Sequence, residues 1–203
     1  MSVIVAIKEN DIVYMGADSQ TSVGDRRVYH LNEFGFKIHR LENGILAGFC
    51  GRVRTAQTLI SLKDVFTLDE NGELTKKHIV REIVPKIVDN IAMAGDEAKD
   101  EVKVSILLAH KDKLYRINSD LHVINIKDYV SIGAGDEYTY YELCKSGNLS
   151  VRERMLNALI ESAKCEESVS GPYVFIDTKN NEYEVIDMGG KNYWLLQLKK
   201  KIE

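Results

Sequence analysis

Apolar and polar positions fall in blocks along this chain, and the blocks read in turn as strands, helices, strands, helices and strands. Two apolar runs, Val3–Lys8 and Ile12–Asp18, flank the polar turn Glu9-Asn10-Asp11. Neither run alternates with polar residues, which predicts a β-hairpin buried on both faces. Phe36–Leu41 and Ile45–Cys50 flank Glu42-Asn43-Gly44, whose Asn-Gly step favours a second hairpin. Helical spacing follows. In Arg52–Phe66 it is carried by Ala56, Leu59, Ile60 and Phe66. In Lys77–Met93 the pairs Ile79/Val80, Ile83/Val84 and Ile87/Val88 recur every four residues and lead to Ile91. Pro85 sits inside that pattern and is expected to kink the helix or end its first half. Gly95 reads as the stop signal, with a polar loop beyond it.

The second half repeats the order. Val102–Ala109, Leu114–Asn118, His122–Ile126 and Tyr129–Ile132 read as strands, and Asp136–Cys144 and Val151–Ala163 as helices. Ser150 and Glu153 form a capping-box pattern ahead of the latter. Tyr173–Asp177, Tyr183–Asp187 and Tyr193–Leu198 close the chain as strands, and Lys199-Lys200-Lys201 reads as a solvated tail. Two sheets, each burying one face on the other and one under helices, satisfy this order. The expectation is an α+β fold in one domain over residues 1–203.

Composition narrows the functions. The 203 residues are 44% hydrophobic and 29% charged, which is a globular composition. A net charge of -4 argues against a nucleic-acid partner. No apolar run approaches the roughly 20 residues of a membrane span, and the start lacks the features of a signal peptide. Cys50, Cys144 and Cys165 are widely spaced, so neither a disulfide frame nor a zinc site is indicated. A cytoplasmic protein without cofactor or metal is expected.

Candidate chemistry concentrates near the start. Removal of Met1 leaves Ser2 with a hydroxyl and a free amine, a nucleophile and a base on one residue. Taken singly, Ser2 is a small residue that licenses Met removal, Asp18 a turn cap, Lys37 a residue on a wet strand face, and Gly48 and Gly51 turn or packing glycines. Gly133-Ala134-Gly135 begins a dinucleotide-type glycine pattern but meets Tyr138 at the third glycine. His30 and His39 lack a ligand partner at helical spacing, and Cys50 reads as a small buried apolar residue.

Together, the hairpin ending in Gly16-Ala17-Asp18-Ser19-Gln20, the segment Phe36-Lys37-Ile38 and the turn Ala47-Gly48-Phe49-Cys50-Gly51 resemble proteasome β-type subunits, above all the HslV-type peptidase. The similarity continues through Ser131-Ile132-Gly133-Ala134-Gly135 and Glu167-Ser168-Val169-Ser170-Gly171, and a short insertion falls in Gly24–Asn32. It implies a four-layer αββα sandwich of the N-terminal-nucleophile (Ntn) hydrolase type. It also implies a homo-oligomeric ring, a peptide or unfolded-protein substrate, and an AAA+ ATPase unfoldase as partner.

By the same resemblance Ser2 is the nucleophile and Lys37 the active-site lysine, with Asp18 holding it. Gly51 supplies an oxyanion N–H, and Glu167 and Ser170 orient the amine. Lys37→Ala is then expected to abolish hydrolysis and spare the fold. Three positions depart from the family pattern: Ser2 replaces a threonine, Ala134 a serine and Glu167 an aspartate. A non-catalytic ring subunit and a small-molecule Ntn amidohydrolase therefore stand as alternatives to a peptidase.

Overall fold

The computed structural model describes residues 2–23, 26–29, 37–91, 102–188 and 195–201. The hairpin at the start forms as its apolar runs predict, with β1 (Val3–Glu9) antiparallel to β2 (Ile12–Asp18). The two faces of β1 divide by parity. Ile4 and Ala6 enter the core between the sheets, whereas Val3, Val5 and Ile7 pack beneath helices. That division is why no polar residue interrupts the run.

Two further short strands follow, β3 (Gln20–Val23) and β4 (Arg26–Tyr29), paired as a hairpin of their own. Its second strand falls in Gly24–Asn32, read from sequence only as an insertion; four-residue strands carry too little periodicity to be read. β5 (Ile38–Arg40) then pairs with β6 (Leu46–Gly51) around the Asn43-Gly44 turn.

Helix α1 is shorter than the spacing suggested, Val53–Ser61. Phe66 is buried as its position in the period implied, but it reaches the core from a loop and meets Phe49 edge-on at 5.7 Å. The next helical segment runs through α2 (Lys76–His78), a π-helical turn (Ile79–Ile83) and α3 (Val84–Ile91). Pro85 thus neither breaks the segment nor ends it. The wide turn directly before it, in which Val84 N–H donates to Ile79 C=O, shifts the bonding register where proline has no N–H to offer. Gly95 and the polar loop after it lie outside the described residues.

The second half supplies β7 (Val104–His110), β8 (Lys113–Ile117), β9 (Val123–Asn125) and β10 (Tyr129–Gly133), then α4 (Asp136–Lys145) and α5 (Val151–Cys165). The capping box at Ser150 and Glu153 is formed. The chain closes with β11 (Tyr173–Asp177), β12 (Glu182–Met188) and β13 (Leu195–Lys201). The lysine run expected as a free tail belongs to β13, where Lys199, Lys200 and Lys201 stand opposite Glu184, Tyr183 and Glu182. A charge run has no period of its own, so only the partner strand reveals it.

Strand order is β10-β1-β2-β11-β12-β13 in one sheet and β5-β6-β7-β8-β9 in the other. The sheets face each other across Ile4, Met15, Leu46, Leu107 and their neighbours. Helices α1 to α3 cover the outer face of the five-stranded sheet, and α4 and α5 that of the six-stranded sheet. The result is a four-layer αββα sandwich of the α+β class. Among the described residues no helix is long and apolar enough to cross a membrane.

Candidate active site

The ends of four adjacent strands, β10, β1, β2 and β11, meet at one corner of the six-stranded sheet. Antiparallel register brings this about, because Val3 pairs with Gly133, Ile4 with Ala17, and Asp18 with Tyr173. Asp18, the last residue of β2, has a fully buried side chain. Its Oδ1 accepts from Lys37 Nζ at 2.6 Å and from Val3 N–H at 2.9 Å, and its Oδ2 accepts from Gln20 N–H at 3.2 Å. Burial pushes the Asp18 carboxyl up from its ordinary value, while the Lys37 ammonium and the two main-chain N–H groups pull it back. Three converging donors match an ionised carboxylate, which only accepts.

Lys37 stands one residue ahead of β5, so it approaches Asp18 from the opposite sheet. Its side chain is only 8% exposed, and Nζ donates a second bond to Gln20 C=O at 2.7 Å. Ser2 is half-buried beside this pair. Its carbonyl accepts from Ala134 N–H at 2.8 Å and the N–H of the same peptide donates to Asp18, so both polar groups of the Ser2–Val3 peptide are held. Gly133 makes the approach possible. It sits at φ +108°, and a Cβ there would lie 2.0 Å from the Ser2 carbonyl oxygen. The loop beyond is pinned by buried hydroxyls, with Thr139 and Ser162 both donating to Gly135 C=O.

Gly51 ends β6 directly ahead of α1, exposed and at φ +133°. A Cβ would collide with Lys103 C=O at 2.3 Å, so this position at the mouth of a helix requires glycine. Cys50, next to it, is buried with Sγ 3.5 Å from Ile132 C=O, and burial pushes its thiol up to about 12. A thiol so held stays protonated and is no competing nucleophile.

Of the residues singled out by sequence, Asp18, Lys37 and the Ser2–Val3 main chain form one hydrogen-bonded cluster. Ser170 joins it indirectly: its hydroxyl donates to Gln20 Oε1 at 2.6 Å, and its carbonyl accepts from Ser19 N–H at 3.3 Å. Glu167 enters by its main chain, accepting from Gln20 Nε2 at 3.1 Å, while its side chain is exposed. The neighbouring Glu166 carboxylate is the one bonded in this loop, by Ser168 N–H and hydroxyl, and those bonds lower its pKa. Sequence reasoning passed over Gln20, which is 1% exposed and bonds through its N–H, its carbonyl and both ends of its amide. Its place two residues beyond Asp18, inside the motif Gly16–Gln20, was the available signal.

A family model described as "Proteasome subunit" matches residues 2–163, most of the chain. The chain belongs to the proteasome subunit family. The match stops short of Glu167 and Ser170, which leaves their roles to the geometry above. Among curated relatives, the ATP-dependent protease subunit HslV of Macrococcus caseolyticus is 26% identical over 137 residues, covering 66% of this chain and 71% of that protein.

Solved structures agree on the fold. Thiobacillus denitrificans BPH in complex with epoxomicin superposes with a TM-score of 0.67 at 14% identity, covering 86% of this chain and 97% of the other. The eukaryotic HslV from Trypanosoma brucei gives 0.65 at 16%, covering 86% and 98%. At such identities the likeness speaks for architecture alone.

Proposed function

We propose that this proteasome-family chain, acting as one domain over residues 1–203, is a subunit of a ring-forming, self-compartmentalising peptidase whose nucleophile is the Ser2 hydroxyl once Met1 is removed. The buried Lys37–Asp18 pair, clamped to the Val3 N–H beside Ser2, carries the reading. A buried ion pair is costly to desolvate, and a core position would be as well served by apolar residues. A cation fixed beside a free amine has a chemical use: it keeps the amine neutral near pH 7 and stabilises developing negative charge.

The neutral Ser2 amine takes the Oγ proton, directly or through a water, as Oγ attacks the peptide carbonyl carbon. The carbonyl electron pair moves to oxygen, and the Gly51 N–H at the mouth of α1 stabilises that oxyanion. Collapse expels the leaving amine, which recovers the proton from the Ser2 ammonium, and an ester remains on Oγ. Water then hydrolyses the ester with the same amine as base and frees Ser2. Enclosure in a ring would restrict this unselective chemistry to unfolded chains. The Macrococcus relative is described as an ATP-dependent protease subunit, so an AAA+ ATPase is the partner we assign, in the cytoplasm.

The test begins with the intact mass of native protein, expected to lack Met1. Peptide hydrolysis should then vanish in Ser2→Ala. It should also rise with pH through about 7.7–8.0, the ordinary range of an α-amine, or below it where Lys37 depresses that value. Light scattering should give a closed assembly. Quantitative retention of Met1 would defeat the peptidase, and a stable monomer cleaving small amides would favour the amidohydrolase.

A second reading, a non-catalytic ring subunit, is favoured by Ala134. It offers its N–H to Ser2 C=O but has no hydroxyl where the family carries serine. Hydrolysis equally absent from wild type and Ser2→Ala, with Met1 gone, would establish that reading.

A further inference from the structure

Lys37 comes to Asp18 on the edge strand of the opposite sheet, and among the described residues β5 is paired on one side only, to β6. Toward β6, Lys37 C=O accepts from Phe49 N–H at 2.9 Å. Ile38 and Arg40 turn their main-chain groups away from β6, and one side chain from the six-stranded sheet meets two of them, Ile38 C=O and Arg40 N–H. The Tyr183 hydroxyl, on β12, accepts from Arg40 N–H at 3.0 Å and donates to Ile38 C=O at 3.3 Å. Its ring is 5% exposed in the core between the sheets. The Arg40 guanidinium adds bonds to Asp177 C=O and, at 2.7 Å, to Asn180 C=O, both at the β11–β12 turn.

We infer that Tyr183 is a positioning residue for Lys37: its hydroxyl bridges Ile38 C=O and Arg40 N–H on the side of β5 away from β6 and holds the strand at the distance from the six-stranded sheet that the Lys37–Asp18 contact requires. This rests on the peptidase reading above. Nζ holds Asp18 Oδ1 at 2.6 Å and Gln20 C=O at 2.7 Å, so a drift of about 1 Å would break both bonds, and misplacements of that size can cost up to about 10²-fold in rate. Ile38 is the next residue after Lys37, and anchoring its carbonyl fixes the peptide from which the lysine projects. A phenol suits the role because one hydroxyl can donate and accept at once.

The test compares Tyr183→Phe with Val185→Ala in full-length protein whose Met1 is confirmed absent. Val185 is two residues along β12 in the same core and touches neither Ile38 C=O nor Arg40 N–H through a polar group. Tyr183→Phe is expected to lower kcat about tenfold or more with KM within about twofold. It should also move the acid limb of kcat/KM to higher pH, since a cation that drifts away no longer depresses the α-amine. Val185→Ala should lose thermal stability and keep both the acid limb and kcat. An unmoved acid limb in Tyr183→Phe, or equal losses of kcat in the two variants, would overturn the inference.

Hydrogen exchange at the Arg40 amide answers independently of turnover. The amide should exchange as slowly as the ladder amides of β6 in wild type, and at least about tenfold faster in Tyr183→Phe. Fast exchange in wild type overturns the tether even if the variant does not fold. Absence of Ser2-dependent hydrolysis with a slow Arg40 amide would instead defeat the peptidase reading and leave the tether standing.

Discussion

The two sheets serve the candidate site in different ways. The six-stranded sheet brings Ser2, Asp18, Ala134 and Ser170 to the ends of four adjacent strands, where ladder bonds set their relative positions. The five-stranded sheet delivers Lys37, one residue ahead of its edge strand, and Gly51, the last residue of β6. Ser2 and the Asp18 carboxylate therefore share one hydrogen-bonded frame, whereas the Lys37 cation crosses the space between the sheets. Side-chain bonds rather than a ladder hold the crossing. Groups that must stay together are laddered; groups that must meet across layers are tethered.

Lys37 gives the severest test of that contrast. Lys37→Ala is expected to abolish hydrolysis, and its burial changes the expectation that the fold is spared. The variant leaves the Asp18 carboxylate buried and unpaired, which costs about 3–5 kcal/mol in comparable cases. Combining Lys37→Met with Asp18→Asn should restore most of that stability in denaturant unfolding and none of the activity. Full stability in the single variant would show that the cation is not tied to the frame as described.

Gly51→Ala acts on the other group that the five-stranded sheet delivers. The added Cβ would meet Lys103 C=O at 2.3 Å and displace the N–H at the mouth of α1. A loss of about 10²–10³ in kcat is expected, the usual scale for one oxyanion donor. An unchanged kcat would assign that donor elsewhere.

Within the laddered frame, Gln20→Leu should cost less, about tenfold in kcat. It also removes one bond from Ser170 Oγ and one to Glu167 C=O, each worth about 0.5–1.5 kcal/mol. Equal activity and stability in wild type and Gln20→Leu would show that the amide merely fills space.

The smallest effect is expected at Ala134→Ser. A hydroxyl there would add an orienting group beside the amine proposed as general base, a role worth about 10²–10⁴-fold in all. A gain of a few-fold in kcat is anticipated, because both polar groups of the Ser2–Val3 peptide are already held. No change would indicate that the amine is oriented without it.

Several of these features were legible in the sequence. The unbroken run Val3–Ile7 announced a strand buried on both faces, Ser150 and Glu153 announced a helix start, and both are formed. Asp18 and Lys37, singly a turn cap and a wet-face residue, were singled out through the family resemblance, and they form a buried ion pair. The β3–β4 hairpin, the place of the terminal lysines in β13 and the loop that carries Phe66 were not legible. Short strands and charge runs lack a period, and a residue in register with a helix can reach the same core without one.

By itself the sequence determined the alternation of elements, the faces they bury and the chemical types available, since each depends on neighbours within a turn or a strand. Tertiary structure alone decided which of those groups touch. Ser170 and Gln20 are 150 residues apart and share a proton donor and acceptor at 2.6 Å. Tyr183 and Ile38 are 145 apart and join two sheets through one hydroxyl. Such contacts depend on strand register and on the distance between layers, which are set by the packing of the whole core and by no local pattern.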